Sequence, residues 1–233
     1  MTLGRIIRQG ISFGKKEFLL SIIVFAYLAV SYSVLSAGLS EGMLFLLQVF
    51  FILIENYVTV AVYYGIKQYL WEGAFDVKGM FAGAKHFFAR TLYYKLLAGA
   101  AALFIAAFCL SMIEVVKDSS AAAAGLITGF TVIWISFPVY LVLLTFFAPL
   151  IIIAEDNLLL PSVRKSIVFV RTNFADVVKL CLLAAPLWFF AIFLMRVYNK
   201  KDLFLLPVIF YFIAVLEILT VKLFFLFYKA RTK

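Results

Sequence analysis

The chain reads FGKKEF at residues 13–18 and runs from there into the long apolar segment Phe18–Leu39. An aromatic residue, a basic residue two positions later and a second aromatic residue five positions later recur twice more. The three copies are Phe13-Lys15-Phe18, Phe88-Arg90-Tyr93 and Phe169-Arg171-Phe174. After each copy come two long apolar segments with a short polar break between them, which predicts three repeats of a helical hairpin.

The composition indicates that lipid surrounds most of this chain. Of its 233 residues 66% are hydrophobic and 14% are charged, with a mean hydropathy of +1.11. A soluble domain of this length could not bury so much apolar surface, and a membrane span needs about 20 apolar residues. Six segments qualify: Phe18–Leu39, Met43–Leu70, Leu92–Val115, Ala121–Ala154, Val177–Val197 and Leu203–Tyr228.

We therefore predict an all-α integral membrane protein with six transmembrane helices. The helices form three hairpin repeats, at about 1–70, 71–155 and 156–233, within a single transmembrane domain that covers residues 1–233. The connections within the hairpins are so short that paired helices must be antiparallel neighbours. Pro138 is expected to kink the fourth span and Pro149 to end it, while Pro161 suits the first turn of a following helix.

The basic residues predict the orientation of the spans. Most of the 21 lysine and arginine residues fall at one set of helix ends. The other set holds only Lys117, Arg196, Lys200 and Lys201. The positive-inside rule then predicts a multi-pass protein of the plasma membrane with both termini in the cytoplasm. This bias accounts for the net charge of +9, so we expect no nucleic-acid partner.

Each repeat is expected to begin with a basic amphipathic helix in the membrane interface. In the first, Arg5, Arg8 and Lys15 share one face and Ile6 and Gly10 the other. Such helices either fill the cytoplasmic rim of the bundle as connectors or bind anionic lipid. For the second case the candidate contacts to lipid phosphates are Lys15, Lys16, Lys85, Arg90, Arg164, Lys165 and Arg171.

Two carboxylates lie in the middle of predicted spans. Glu55 and Glu217 occupy corresponding repeat positions, each twelve residues before a lysine, and Ser136 is the rough equivalent in the middle repeat. Acidic residues at this depth are costly and usually face the interior of a bundle. Together with Asn56 they form either a ligand or ion site, or neutral carboxyls that hydrogen-bond between helices. Lys222 is expected to extend towards the cytoplasm.

The sequence gives little support for catalysis. His86 is the only histidine, and Cys109 and Cys181 both fall inside predicted spans without metal-ligand spacing. Hydrolase, nucleotide-binding and zinc-protease motifs are missing. We therefore expect neither an enzyme, nor a cofactor, nor a bound metal.

The segment FAPLIIIAED at residues 147–156, followed by residues 163–174, resembles a group of bacterial polytopic membrane proteins. This group includes the membrane domain that accompanies glycerophosphoryl diester phosphodiesterases. The shared features are a span that ends in proline and an aliphatic run, a short acidic turn, and an amphipathic helix that leads into Asn173-Phe174. The resemblance implies a helical module of the bacterial inner membrane, and the phosphodiesterase domain itself is missing.

The function predicted from these observations is that of a non-enzymatic membrane module. Its expected partners are membrane lipids, anionic ones above all. Another membrane protein, or a homo-oligomer of this chain, remains open as a partner. The alternative is a small transporter or channel that uses Glu55 and Glu217.

Overall fold

The computed structural model describes residues 2–37, 39–117, 125, 128–129, 131–132, 136, 140–141, 143–197 and 205–232. The regular structure of these residues is helical throughout. The helices are α1 (Leu3–Ile11), α2 (Lys15–Leu35), α3 (Glu41–Lys67), α4 (Val77–Lys117), α5 (Ala148–Glu155), α6 (Leu159–Thr172), α7 (Phe174–Val197) and α8 (Leu205–Thr232). The all-α prediction is thereby confirmed for this part of the chain.

Five helices of the described residues are long and apolar enough to cross a membrane. They are α2, α3 with the helical turn that continues it, α4, α7 and α8, and they match five of the six predicted spans. Of the predicted fourth span, Ala121–Ala154, residues 121–124 and several others up to 142, including Pro138, lie outside the described residues. This span and the threefold repeat therefore stay predictions.

The residues divide into two compact units. Unit 1 comprises Met1–Phe88 and Phe174–Lys233, and unit 2 comprises Ala89–Asn173. The boundary falls within α4, so the units do not follow the limits of the predicted repeats.

In unit 1, α2 packs between α3 and α8 and runs antiparallel to both. Against α8, the Tyr32 and Phe210 rings lie 5.3 Å apart, and Glu17 binds Lys222 near the opposite end. Against α3, the Tyr27 hydroxyl donates to the Phe51 carbonyl at 3.1 Å. The apolar faces of the three helices supply most of the core of this unit. It includes Leu20, Val24, Val60, Ile66, Ala214, Ile218 and Phe225.

The end of α3 has a π-helical conformation that the sequence does not predict. The helix continues as a π-helical turn, Gln68–Glu72, which stops at Gly73 with a φ of +70°. Glycine adopts this left-handed conformation without steric cost and commonly ends helices. Asp76 then starts α4, because its carboxylate accepts hydrogen bonds from the backbone N–H groups of Lys78 and Gly79.

The second amphipathic segment corrects one prediction. It is not a separate interfacial helix, because Val77–Phe88 forms the first three turns of the continuous helix α4. Its apolar side packs along α3: the Tyr57 hydroxyl donates to the Phe81 carbonyl at 2.9 Å, and the Asn56 amide donates to the Phe88 carbonyl at 3.1 Å. Burial against a neighbouring helix therefore accounts for the apolar periodicity here.

The first and third amphipathic segments are separate helices, α1 and α6, as predicted. Each buries its apolar side against protein. Ile6 and Gly10 of α1 are buried, and Gly10 lies against Leu223 of α8. In unit 2, α6 buries Phe169 and Val170, and the Phe169 ring lies 4.9 Å from that of Phe147. Pro161 lies in the first turn of α6, as expected.

Pro149 lies in the first turn of the short helix α5. The helical path is interrupted just before it, at residues 146–147. Proline has no N–H group, so the Thr145 carbonyl loses its usual helical donor. The Tyr94 hydroxyl donates to that carbonyl at 3.0 Å instead.

Ser166 of α6 satisfies the other backbone groups that the interruption exposes. Its hydroxyl donates to the Leu144 carbonyl at 2.7 Å and accepts from the Phe147 N–H group at 3.2 Å. All of these atoms are buried, where an unmade hydrogen bond would be costly. The Ser166 side chain therefore links α6 to the helical residues before the interruption and to the residue that precedes α5.

Candidate functional site

A buried ion pair lies where α1, α2 and α8 meet. The Lys222 ammonium donates to Glu17 Oε1 at 2.5 Å, to the Ser12 carbonyl at 2.6 Å and to the Ser12 hydroxyl at 3.1 Å. The same Glu17 oxygen accepts from the Tyr69 hydroxyl at 3.2 Å, and the other oxygen accepts from the Gly14 N–H group at 3.0 Å. All three ammonium protons therefore have acceptors.

The prediction that Lys222 extends towards the cytoplasm did not include the finding that its side chain is buried in an ion pair. The Lys222 and Glu17 side chains are only 6% and 9% exposed. A buried charge of this kind persists only when a partner and hydrogen bonds replace its water. Sequence reasoning missed Glu17 as the partner, because 205 positions separate the two residues. The available signal was a carboxylate in the first turn of α2 and a lysine within the apolar part of α8.

Further cations bind the carbonyl groups at the end of α3. Lys229 of α8 donates to the Leu70 carbonyl and lies 5.0 Å from the Trp71 ring. Lys16 of α2 reaches the Gly73 carbonyl at 3.5 Å, and its ammonium lies 5.5 Å from the Tyr69 ring. Cations are favourable at the C-terminal end of a helix, where carbonyl groups lack helical donors. The start of α2 and the ends of α3 and α8 thus meet at one end of unit 1.

We call this end of unit 1 the basic end, and define it by Arg5, Arg8, Lys15, Lys16 and Lys229. Arg5, Arg8 and Lys15 are exposed. Apolar side chains are exposed in the same stretch of chain: Ile11 by 55%, Phe13 by 42% and Phe18 by 47%. Exposed aromatic and aliphatic groups beside cations are typical of helices that lie at a membrane surface.

The other predicted phosphate contacts have different surroundings. Lys85 on α4, and Arg164 and Arg171 on α6, are exposed. In unit 2, Arg90 donates to the Asp156 carboxylate at 2.7 Å and to the Asn157 carbonyl at 3.3 Å. Lys165 binds Glu155. Arg90 and Lys165 therefore already have anionic partners within the protein.

The two predicted carboxylates of unit 1, Glu55 of α3 and Glu217 of α8, lie on the two helices that flank α2. Glu55 is exposed and Glu217 half-buried. Tyr27, which sequence reasoning did not single out, lies between two helices that each carry one of these acids.

Asn56 and Ser136 make contacts of a structural kind. Asn56 is fully buried and, as described above, its amide group bonds α3 to α4. Ser136 is exposed in unit 2, and its hydroxyl donates to the Val132 carbonyl of its own helix at 2.7 Å. Neither contact requires a ligand.

Within the part of the chain that the structure describes, no three histidine, cysteine, aspartate or glutamate side chains come together as a metal site. No protein-family model matches the chain, and no curated protein or solved structure resembles it significantly. The resemblance of residues 147–174 to the phosphodiesterase-associated membrane domain therefore stays a prediction.

Proposed function

We propose that this chain is a non-enzymatic membrane module of the bacterial inner membrane that binds anionic lipid at its basic end. The observation that carries the proposal is the arrangement of α1. Its inner side, at Ile6 and Gly10, is buried on α8, while Arg5 and Arg8 remain exposed. A helix fixed in this way holds two guanidinium groups in place for lipid phosphates.

The neighbouring apolar residues support the same proposal. Phe13 and Phe18 flank Lys15 and are exposed to an extent that water would disfavour. In a bilayer these rings would enter the boundary between head groups and acyl chains, and the cations would stay at the phosphates. The long apolar helices of unit 1 would continue from this boundary into the hydrocarbon region.

A lipid titration followed by native mass spectrometry tests the proposal. The full chain in mild detergent is titrated with phosphatidylglycerol and, separately, with phosphatidylcholine. Each basic residue near an anionic surface contributes about 1 kcal/mol, so the double variant Arg5→Gln/Arg8→Gln should bind phosphatidylglycerol at least about tenfold more weakly. Binding of phosphatidylcholine should not change.

A matched control removes the same number of charges from the opposite predicted side. Lys117→Gln/Arg196→Gln should leave phosphatidylglycerol binding as in the wild type. If both double variants bind phosphatidylglycerol like the wild type, the basic end is not a lipid site. A membrane protein that co-purifies in place of lipid, and is lost in Arg5→Gln/Arg8→Gln, would give the basic end a protein partner instead.

A second candidate function is transport of a proton or cation through unit 1. It is favoured by the position of Glu55 and Glu217 on the two helices that flank α2. Carboxylates at similar depth on neighbouring helices could pass a cation or proton between them.

Flux measurements in proteoliposomes distinguish this candidate from the first. Glu55→Gln and Glu217→Gln should each abolish cation or proton uptake if the carboxylates carry it. Glu41→Gln, at the exposed start of α3, is the control and should retain uptake. Equal flux in liposomes with and without the wild-type protein would exclude transport of the ion tested.

A further inference from the structure

Unit 2 contains an apolar groove that the proposed lipid site does not include. Its volume is about 310 Å³, at the lower end of the range found for ligand pockets. One wall is a single side of α4, and the rest is formed by Leu141, Thr145 and the first turns of α6. The lining includes Leu97, Ala98, Ala101, Ile105, Leu159 and Val163.

The polar groups in the groove are already satisfied. Tyr94 and Thr145 also line it, and the Tyr94 hydroxyl donates to the Thr145 carbonyl at 3.0 Å and lies 3.4 Å from the Thr145 hydroxyl. A ligand that entered would therefore meet methyl and methylene groups almost alone. Ala98 and Ala101 create the space, because larger side chains at these two positions would fill it.

The dimensions of the groove indicate the kind of ligand. From Tyr94 to Ile105 the groove follows α4 for about 16 Å, given a rise of 1.5 Å per residue. The hydrocarbon core of a bilayer is about 30 Å thick, so this length is close to the depth of one leaflet. The groove also lies on a helix that is long and apolar enough to cross a membrane. A single extended acyl chain fits these conditions.

Two arginine residues are close in sequence to residues that line the groove. Arg90, one turn before Tyr94 on α4, is bound to Asp156. Arg164 follows the lining residue Val163 on α6, is exposed, and has no acidic partner among the residues that the structure describes. A phosphate bound by Arg164 would form a charge-assisted hydrogen bond with a residue next in sequence to the groove.

We infer that unit 2 binds one molecule of anionic phospholipid, with an acyl chain in the groove between α4 and α6 and its phosphate on Arg164. The inference rests on the membrane placement proposed above, but not on lipid binding at the basic end. Neutralisation of Arg5 and Arg8 should therefore leave this second site unchanged.

Photolabelling tests the site. The full chain is placed in nanodiscs that contain phosphatidylglycerol with a diazirine on one acyl chain, and the labelled peptides are mapped after illumination. Leu97, Leu103 and Phe104 are all exposed, by 64%, 74% and 70%, but only Leu97 lines the groove. Label is expected at Leu97, Ala101 and Ile105 in preference to Leu103 and Phe104. Ala101→Phe should reduce the groove label at least about fivefold, whereas the control Leu103→Phe should not.

The head group is tested with the matching phosphatidylcholine probe. The wild-type protein should take up about fivefold more label from the phosphatidylglycerol probe than from the phosphatidylcholine probe, in line with one phosphate contact. Arg164→Gln should remove this preference and Arg171→Gln, farther along α6, should keep it. In the wild type, label at Leu103 and Phe104 as strong as at Leu97, Ala101 and Ile105 would overturn the site. This result does not depend on whether Ala101→Phe folds. Equal labelling by both probes would overturn the role of Arg164.

Discussion

Lys222 of α8 and Glu17 of α2 form a buried ion pair, with 2.5 Å between the ammonium and the carboxylate oxygen. Through it the end of α8, the start of α2 and the linker at Ser12 are held together at the basic end. Lys222 also binds the carbonyl of Ser12, which lies between α1 and α2. The pair therefore fixes the position of the connection between these two helices. The orientation of Arg5 and Arg8 therefore depends on a contact that neither residue makes.

Removal of one partner from this pair should be strongly destabilising. Lys222→Met leaves the Glu17 carboxylate buried without its cation, which costs about 3–5 kcal/mol, whereas Lys222→Met/Glu17→Gln should recover much of that loss. Thermal and denaturant unfolding in mild detergent measure the difference. The exposed pair Lys165–Glu155 provides the control, because Lys165→Met should cost less than about 1 kcal/mol. A Lys222→Met protein as stable as the wild type would contradict this interpretation.

The contact between α1 and α8 depends on the absence of a side chain at Gly10. A Cβ atom there would lie 2.7 Å from Leu223 Cδ1 and 3.2 Å from Leu223 Cα. Gly10→Leu should therefore move α1 off α8, at a cost of about 1–3 kcal/mol, and backbone amides of α1 should exchange hydrogen faster. Gly4→Leu on the same helix has no atom within 4 Å of the added Cβ. Hydrogen exchange of α1 in Gly4→Leu should match that of the wild type. Exchange in Gly10→Leu as slow as in the wild type would show that α1 tolerates a larger residue at this contact.

Ser166 and Ser162 are both buried on α6, but only Ser166 has hydrogen-bond partners among the described residues. Ser166→Ala strands the Leu144 carbonyl and the Phe147 N–H group, and each unsatisfied buried group costs about 1–3 kcal/mol. Ser162→Ala removes a hydroxyl without such a partner and should be neutral or slightly stabilising. Unfolding of the two variants side by side is the measurement. Equal stability of both would mean that the interruption before Pro149 does not rely on Ser166.

The sequence predicts the helices well because long apolar runs and short polar breaks are local signals. The five long apolar helices and the separate helices α1 and α6 follow from such patterns. The second amphipathic segment was wrongly separated from its span because apolar periodicity shows that a face is buried, but not what covers it. The π-helical turn Gln68–Glu72 carries no comparable sequence signal.

The candidate sites were less predictable, because they depend on contacts between distant parts of the chain. Glu55 and Glu217 could be paired by their repeat positions, and they lie on the two helices that flank α2. Glu17 and Lys222 have no such symmetry, so their pairing appears only when α2 and α8 are packed. The groove between α4 and α6 likewise requires a three-dimensional arrangement.

The most direct test of the central claim is the depth of the basic end in a bilayer. A nitroxide label is placed at Phe13→Cys or Val30→Cys in a background with Cys109→Ala and Cys181→Ala, in nanodiscs that contain phosphatidylglycerol. Collision of the label with oxygen and with a water-soluble nickel chelate gives its depth. We predict that a label at position 13 lies at the phosphates, and that a label at position 30 is shielded from nickel. Full exposure of both labels to nickel would contradict the account.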